Sequence, residues 1–186
     1  MRARREEAPA GLRGRVIDVG AGSGATFCHY PEEVTEVLAV EPDAYLRGLA
    51  LEAVADATVP VTIAEGVAEA LPADDESFDA AVAHMMLCSV HDLDGAAGEL
   101  YRVVRPGGEL RFNEHVISRK RVLGRLQRAA DATIWPRVSG GCHLGRDTVA
   151  AIRRAGFVID RIEHFRPAGL SLGPPKTFAI GIAHRP

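Results

Sequence analysis

The stretch RVIDVGAGSGATF, residues 15–27, decides the fold that the sequence predicts. Its first part is mostly apolar and leads into glycines at positions 20, 22 and 24. A short apolar run followed by closely spaced glycines predicts a buried strand that ends in a sharp turn, with a helix-compatible segment after it. Because glycine has no side chain, such a turn lets a ligand approach the backbone closely. The stretch therefore predicts the first strand and the ligand-binding turn of an α/β fold.

The spacing of the glycines indicates a nucleotide-like ligand without choosing among several. Residues 20–25 fit the pattern G-x-G-x-x-A, which is typical of NAD and FAD sites. The turn alone leaves NAD, FAD and S-adenosylmethionine (SAM) open.

Length and composition predict one globular domain. The chain has 186 residues, 47% apolar and 25% charged, enough for one domain of residues 1–186 with a sizeable core. Residues 1–13 carry charge but no apolar core, so we expect a flexible or helical extension and neither a signal peptide nor an anchor. A net charge of −3 gives no overall attraction to nucleic acid or an anionic membrane. Three cysteines without framework spacing predict reduced thiols and a cytoplasmic location, while the oligomeric state stays open.

Strand-like and helix-like segments alternate along the chain. We expect strands at 15–19, 36–40, 61–64, 78–83 and 109–116, and helices at 24–31, 43–56, 93–104, 121–134 and 146–155. This alternation predicts a three-layer α/β sandwich, in which helices cover both faces of a mostly parallel sheet. Two last strands, 157–165 and 176–185, are separated by a Pro/Gly-rich loop that is too short for a crossover helix. The prediction is a seven-stranded sheet with a C-terminal antiparallel hairpin.

Four motifs resemble, in order, those of the class I SAM-dependent methyltransferases. They are DVGAGSG at 18–24, AVEPD at 39–43, GVAEALPADDESFDAAVAHMML at 66–87 and LYRVVRPGGELRF at 100–112. The set is specific for SAM, whereas the glycine turn alone is not. The resemblance is to the small-molecule branch and implies a Rossmann-like enzyme. Such an enzyme transfers a methyl group from SAM to a small acceptor and releases S-adenosylhomocysteine.

A narrower resemblance is carried by LCSVHD at 87–92, NEHV at 113–116 and GGCHLGRDT at 140–148. These stretches are similar to those of the alkyl-thiol S-methyltransferase-like group and imply a thiol acceptor. We expect no counterpart of that group's N-terminal membrane-associated segment, and hence no stable membrane insertion. Gly145 occupies a position where the group usually has Thr. The alternative is an O- or C-methyltransferase that acts on a quinone or natural-product precursor.

The resemblance implies a cofactor site at the ends of the first four strands. The turn would bring its backbone against the methionine and ribose parts of SAM, and Glu41 would accept hydrogen bonds from the ribose hydroxyls. Asp18 would fix the turn or meet the SAM ammonium through water. Val67 stands where many relatives have an acid, so Glu69 or a backbone carbonyl would accept the adenine amino group. The expected cofactor residues are Asp18, Gly20, Ala21, Gly22, Glu41, Pro42, Val67, Ala68, Glu69, Ala83 and His84.

Three residues at the ends of the fourth and fifth strands are candidates for orienting or deprotonating the acceptor: His84, Glu114 and His115. We expect a lid over residues 135–146, in which Trp135, Cys142 and His143 bind the substrate.

Two further features predict structural roles. Cys88 is expected to be a buried small apolar residue, and no metal is expected because the cysteines and histidines lack zinc-site spacing in the sequence. The basic segment 118–128 predicts an amphipathic helix, with Leu123 and Leu126 on its apolar side, rather than a nucleic-acid site.

Overall fold

One twisted sheet organises the computed structural model, which describes residues 6–166 and 173–186. Its strands are β1 (Gly14–Val19), β2 (Val34–Val40), β3 (Val61–Ala64), β4 (Phe78–His84), β5 (Val104–His115), β6 (Val158–Phe165) and β7 (Phe178–His184). Their order in the sheet is β3-β2-β1-β4-β5-β7-β6. Strands β1 to β5 pair in parallel, and β7 lies antiparallel between β5 and β6. The expected mostly parallel sheet with a C-terminal antiparallel pair is confirmed.

The helices form the two outer layers. They are α1 (Ala44–Ala53), α2 (Leu93–Val103), α3 (Arg121–Asp131), α4 (Trp135–Val138) and α5 (Thr148–Arg154). Val16 and Ile17, neighbours in β1, point to opposite faces and belong to two separate apolar clusters. The cluster of Ile17 includes residues of α2 and α5, and that of Val16 includes Ala50 of α1. The sheet is thus buried on both faces, as its continuous apolar strands require.

Two of the predicted helices differ from the sequence prediction. The helix expected at 24–31 is only a 3-10 turn at Phe27–His29, because Gly24 has a φ of +74° and Tyr30 is already extended. The helix expected at 121–134 ends at Asp131, and α4 follows within the expected lid. In α3 the buried residues are Gly124 and Gln127, and Leu126 is exposed, so the expected apolar side is wrong for that leucine.

The ends of the chain are described in part. Residues 6–11 of the expected extension form turns, and Ala8 and Leu12 are buried in the cluster on the α1 face. The first five residues lie outside the described residues, as do 167–172 of the expected Pro/Gly-rich loop. Within the described ranges, no helix is both long and apolar enough to cross a membrane.

Candidate cofactor and acceptor site

The glycine turn after β1 presents bare backbone to a cavity. Gly20 has a φ of +72°, its N–H donates to the Val40 carbonyl at 2.8 Å, and an added Cβ would lie 2.6 Å from Met86 Cβ. Gly22 has a φ of +59°, and an added Cβ there would meet no heavy atom within 4 Å. The two glycines therefore have different constraints: Gly20 is closed in by the loop after β4, and Gly22 faces open space.

Glu41 lies beside this turn, directly after β2. Its side chain is buried, yet it reaches the cavity wall. Oε2 accepts the N–H of Gly22 at 2.9 Å and Oε1 accepts the N–H of Asp43 at 3.0 Å. Because each carboxylate oxygen can accept two hydrogen bonds, Glu41 keeps acceptor capacity for a vicinal diol.

The cavity bounded by these residues has a volume of about 530 Å³. This lies in the range of small-molecule and cofactor pockets. Seven of the expected cofactor residues line it: Gly20, Gly22, Glu41, Pro42, Val67, Ala68 and Glu69. The sequence prediction missed others, including Leu46 on the first turn of α1 and Val90 in the loop after β4. The bare turn and the buried diol acceptor fit the ribose and methionine parts of SAM.

Asp18 lies beneath the turn, outside the cavity lining. Its Oδ2 accepts hydrogen bonds from the hydroxyls of Thr26 at 2.8 Å and Tyr30 at 2.9 Å. Burial raises the pKa of Asp18 to about 6, against the opposing effect of the two hydroxyl donors. The contacts of Asp18 favour its expected role of fixing the turn.

Glu69 lies at the cavity wall and forms hydrogen bonds with the backbone just before α2. Its Oε1 accepts the backbone N–H groups of His91 and Asp92, at 2.8 and 3.0 Å. Val67, Ala68 and Glu69 all line the cavity, as a contact with adenine requires. The contact between Glu69 and adenine itself stays a prediction.

Glu114 supports the loop after β4. The carboxylate is fully buried and accepts three backbone N–H groups, those of Met86, Leu87 and Cys88, at 2.9 to 3.1 Å. Burial raises the pKa of Glu114 well above its ordinary value, and the three N–H donors oppose this. Glu114 therefore positions the loop after β4, which borders the cofactor cavity, and it does not itself line that cavity.

A second cavity of about 460 Å³ adjoins the first. The two share Met85, Ser89 and Gly140 in their walls. Among the residues expected on the acceptor side, His115, Trp135 and Cys142 line this second cavity, with Cys88 and Lys176. A molecule in the second cavity would thus lie next to one in the first.

His84 and His143 do not line either cavity. The backbone N–H of His143 donates to the Cys88 carbonyl at 2.8 Å, which ties the lid to the loop after β4. Burial lowers the pKa of the His143 ring. His143 therefore contributes to the position of the lid, and its predicted contact with substrate stays a prediction.

Two cysteines and a histidine meet in the wall of the acceptor cavity. Nδ1 of His115 lies 3.0 Å from Sγ of Cys142 and 3.6 Å from Sγ of Cys88, and the two sulfurs are 3.6 Å apart. Their mutual hydrogen bond, together with burial, raises the pKa of Cys88 to about 12, and the same bond lowers the pKa of Cys142. The sequence prediction missed this cluster because its members are 27 and 54 positions apart.

The fold and the paired cavities together define a class I methyltransferase. The comparison of sequences agrees, since residues 17–112 match the family described as "Methyltransferase domain". The chain belongs to the class I SAM-dependent methyltransferases, and it methylates a small molecule with SAM as the methyl donor.

Individual relatives are similar over different lengths. Mouse thiol S-methyltransferase TMT1B is 32% identical over 167 residues, which cover 86% of this chain and 67% of the mouse protein. Demethylmenaquinone methyltransferase of Roseiflexus castenholzii is 36% identical over 95 residues, 51% of this chain and 40% of that one. A SAM-dependent methyltransferase structure from Mesorhizobium loti has a TM-score of 0.72 at 19% identity, with 98% of this chain and 96% of that chain covered.

Proposed function

We propose that the enzyme methylates the sulfur of a small apolar thiol, as a single methyltransferase domain of residues 1–186. The observation that carries this proposal is the second cavity. It adjoins the cofactor cavity, and its wall combines the indole of Trp135 with the cysteine–histidine cluster. The similarity to mouse thiol S-methyltransferase TMT1B extends over 86% of the chain and supports the same acceptor class.

A thiol acceptor needs little help from side chains. SAM supplies a methyl group on a sulfonium sulfur that departs as a neutral thioether. A free thiol with a pKa of about 8.5 is already a few per cent thiolate near neutral pH. What the protein must add is placement of the two reactants and exclusion of water, worth up to roughly 7–11 kcal/mol. The site matches this requirement, since it combines two adjoining cavities with a supported loop between them.

Several residues would supply this placement. Glu41 and the glycine turn would hold the ribose side of SAM. Met85, Ser89 and Gly140 would form the passage between donor and acceptor, because they border both cavities. Trp135 would cover the acceptor. The ammonium group of Lys176 lies over the indole ring, 5.3 Å from the ring centroid. An apolar thiol with a distal acidic group would suit this wall.

The second candidate is methylation of a quinone precursor. The similarity to a demethylmenaquinone methyltransferase and the flat indole wall at Trp135 favour it. The shared feature of both candidates is an apolar small molecule. We propose that nucleic acid is not a substrate, in keeping with the net charge of −3, and that the enzyme works in the cytoplasm, where its three free cysteines would stay reduced.

A screen with radiolabelled SAM tests the acceptor. Alkyl thiols, an aryl thiol, phenols and a demethylmenaquinone analogue are offered to the purified enzyme, and products are separated by solvent extraction. We expect labelled thioether from the thiols. Labelled quinone or phenol ether, with no thioether, would contradict the proposal.

A pair of variants ties the activity to the second cavity. Trp135→Ala should raise KM for the acceptor several-fold and leave SAM affinity near wild type. Ile134→Ala is the matched control, because Ile134 is the preceding apolar residue and is exposed. Equal acceptor KM in both variants would place the acceptor elsewhere.

A further inference from the structure

The cysteine–histidine cluster has the composition of a metal site. Nδ1 or Nε2 of His115 and the sulfurs of Cys88 and Cys142 offer three ligand atoms within 4.8 Å of one another, and all three residues are buried. Local sequence patterns do not show a metal site here, because the three ligands come from three separate segments: the loop after β4, the end of β5 and the lid. Only their spatial arrangement makes the set visible.

The spacing of the ligand atoms fits zinc. In a tetrahedral site, with Zn–S of about 2.3 Å and Zn–N of about 2.0–2.1 Å, two sulfurs lie about 3.8 Å apart and a sulfur and a nitrogen about 3.6 Å apart. The observed distances are 3.6 Å between the sulfurs and 3.6 Å from Cys88 Sγ to His115 Nδ1. The third distance, 3.0 Å from Cys142 Sγ to the same nitrogen, needs a small opening of the lid. Two cysteines and a histidine are a known set of three protein ligands for catalytic zinc.

Hydrogen bonds hold each of these segments in place. The N–H of Cys88 donates to Glu114 at 3.1 Å, and its carbonyl accepts the N–H of His143 at 2.8 Å. The hydroxyl of Thr148 donates to the carbonyl of His115 at 3.1 Å. The last segment, the lid with Cys142, is joined to the loop after β4 through that His143 bond. Ligands held in this way before binding are what a preformed metal site requires.

We propose that Cys88, His115 and Cys142 bind a zinc ion whose fourth position faces the acceptor cavity and takes the acceptor sulfur. The proposal rests on the proposed thiol methylation and adds to it a means of ionising the thiol. Two thiolates balance the charge of the ion, so the buried site carries no net charge before the acceptor binds. Nδ1 of His115 lies 3.6 Å from Cys88 Sγ and 3.0 Å from Cys142 Sγ, so it is the ring nitrogen placed to act as the ligand.

With a zinc ion present, the acceptor thiol would lose its proton when it binds, before the methyl group is transferred. A thiol bound to zinc is deprotonated, and its proton passes to solvent as the thiol binds. A lone pair of the bound sulfur then forms the new carbon–sulfur bond, while the bond from the methyl group to the sulfonium sulfur breaks and its electron pair stays on S-adenosylhomocysteine. The thioether product is neutral, binds zinc weakly, and is displaced by water or the next thiol.

Metal binding is tested without reference to activity. The full chain, reduced with a phosphine and stripped with a chelator, is titrated with Co²⁺ and with Zn²⁺ against a chromophoric competitor. We expect one metal ion per chain and the sulfur-to-cobalt charge-transfer absorption of a tetrahedral thiolate site. Cys88→Ser, Cys142→Ser and His115→Gln should each weaken Zn²⁺ binding by more than about 100-fold, beyond what loss of an outer partner costs.

Cys28→Ser is the matched control, because Cys28 is a free cysteine on the surface. It should bind Zn²⁺ like the wild type. Circular dichroism checks that each variant is folded. The site is refuted if the wild type and a folded Cys88→Ser, Cys142→Ser double variant bind Zn²⁺ equally, or if the Cys28→Ser variant loses the metal.

Methylation by the stripped and the zinc-loaded enzyme separates this inference from the proposed function. We expect zinc to raise kcat/KM for a thiol most strongly below the pKa of that thiol and to leave SAM affinity unchanged. Equal thiol methylation at every pH with and without zinc would overturn the role of the metal while the thiol acceptor stands. Zinc binding without any thiol methylation would overturn the thiol acceptor and, with it, the role assigned to the fourth position.

Discussion

The carboxylate of Glu41 accepts the backbone N–H of Gly22 at 2.9 Å, so the acid that follows β2 is bonded directly to the glycine turn that follows β1. Its other oxygen accepts the N–H of Asp43, at the start of α1. One buried side chain thus joins two strand ends and a helix start around the cofactor cavity. Because Glu41 lies at the cofactor cavity, we expect its replacement to weaken SAM binding.

Glu41→Gln should weaken SAM binding by roughly 10- to 150-fold, which corresponds to one lost charge-assisted hydrogen bond of about 1.5–3 kcal/mol. The NH₂ group of the glutamine amide would also face the N–H of Gly22 or of Asp43, and two donors cannot form a hydrogen bond with each other. Isothermal titration calorimetry with SAM measures the change. Glu52→Gln, at an exposed position of α1, is the control and should bind like the wild type. Unchanged affinity in a folded Glu41→Gln variant would show that Glu41 does not bind the ribose.

The two glycines of the turn should respond differently to alanine. Both have positive φ, which costs an alanine roughly 1–2 kcal/mol. At Gly20 the added Cβ would also meet Met86 Cβ at 2.6 Å, a clash that adds about 1–3 kcal/mol. The free energy of unfolding, measured with urea, should therefore be lower for Gly20→Ala than for Gly22→Ala. Equal losses would mean that the loop after β4 does not press on the turn.

The raised pKa of Asp18 should make the stability of the folded chain depend on pH. Its pKa is raised from 3.8 to about 6 in the folded chain, so the folded state holds a proton that the unfolded state has lost between these values. Stability from this group is complete below about pH 4 and is lost as pH rises to about 6. At 1.36 kcal/mol for each pKa unit, the loss is about 3 kcal/mol.

Asp18→Asn should remove this loss, because the amide oxygen still accepts a hydroxyl and carries no charge. The difference in unfolding free energy between Asp18→Asn and wild type should shift in favour of the variant by about 2 kcal/mol from pH 4 to pH 7. Asp56→Asn, at an exposed carboxyl, should show no such shift. Parallel stability curves for wild type and Asp18→Asn would contradict the raised pKa.

Gly145 and Gly98 should give opposite results with alanine. A Cβ at Gly145 would lie 2.9 Å from Arg128 Cγ and from Asp131 Oδ2, and that carboxylate oxygen accepts the Gly145 N–H. Gly145→Ala should therefore cost about 1–3 kcal/mol of stability. Gly98 lies in α2 with open space around its Cβ position, so Gly98→Ala should stabilise by about 0.5–1 kcal/mol. Thermal unfolding measures both; a Gly145→Ala variant as stable as wild type would contradict the packing of the lid on α3, and a destabilised Gly98→Ala variant would contradict the open space at Gly98.

The crowding at Gly145 also explains a departure noted in the sequence. Threonine usually occupies this position in the thiol-methyltransferase group that the sequence resembles. Here Asp131 accepts the N–H groups of both Leu144 and Gly145, which brings the lid against α3 too closely for a larger residue. Glycine at position 145 therefore fits the close approach of the lid to α3.

The fold was predictable from local patterns. Strand β3 and the pairing of the last two strands match the prediction, and α1 and α2 each begin at a capping aspartate. The short helix expected at 24–31 failed because Gly24 and Tyr30 leave helical geometry on either side of three residues. The short helix α4 was missed, since four residues are too few to give a periodic signal.

The sequence by itself determined the sheet, the glycine turn and the acid that lies beside it. These features depend on apolar runs, on glycine's freedom at positive φ and on a motif order along the chain, all of which are local. Only the tertiary structure decided what the buried polar groups do. Glu114 supports backbone 26 to 28 positions away, and Cys88 meets Cys142 across 54 positions. A carboxylate or a thiol can accept from many partners, and its partner is set by which strand ends and loops the folded sheet brings together.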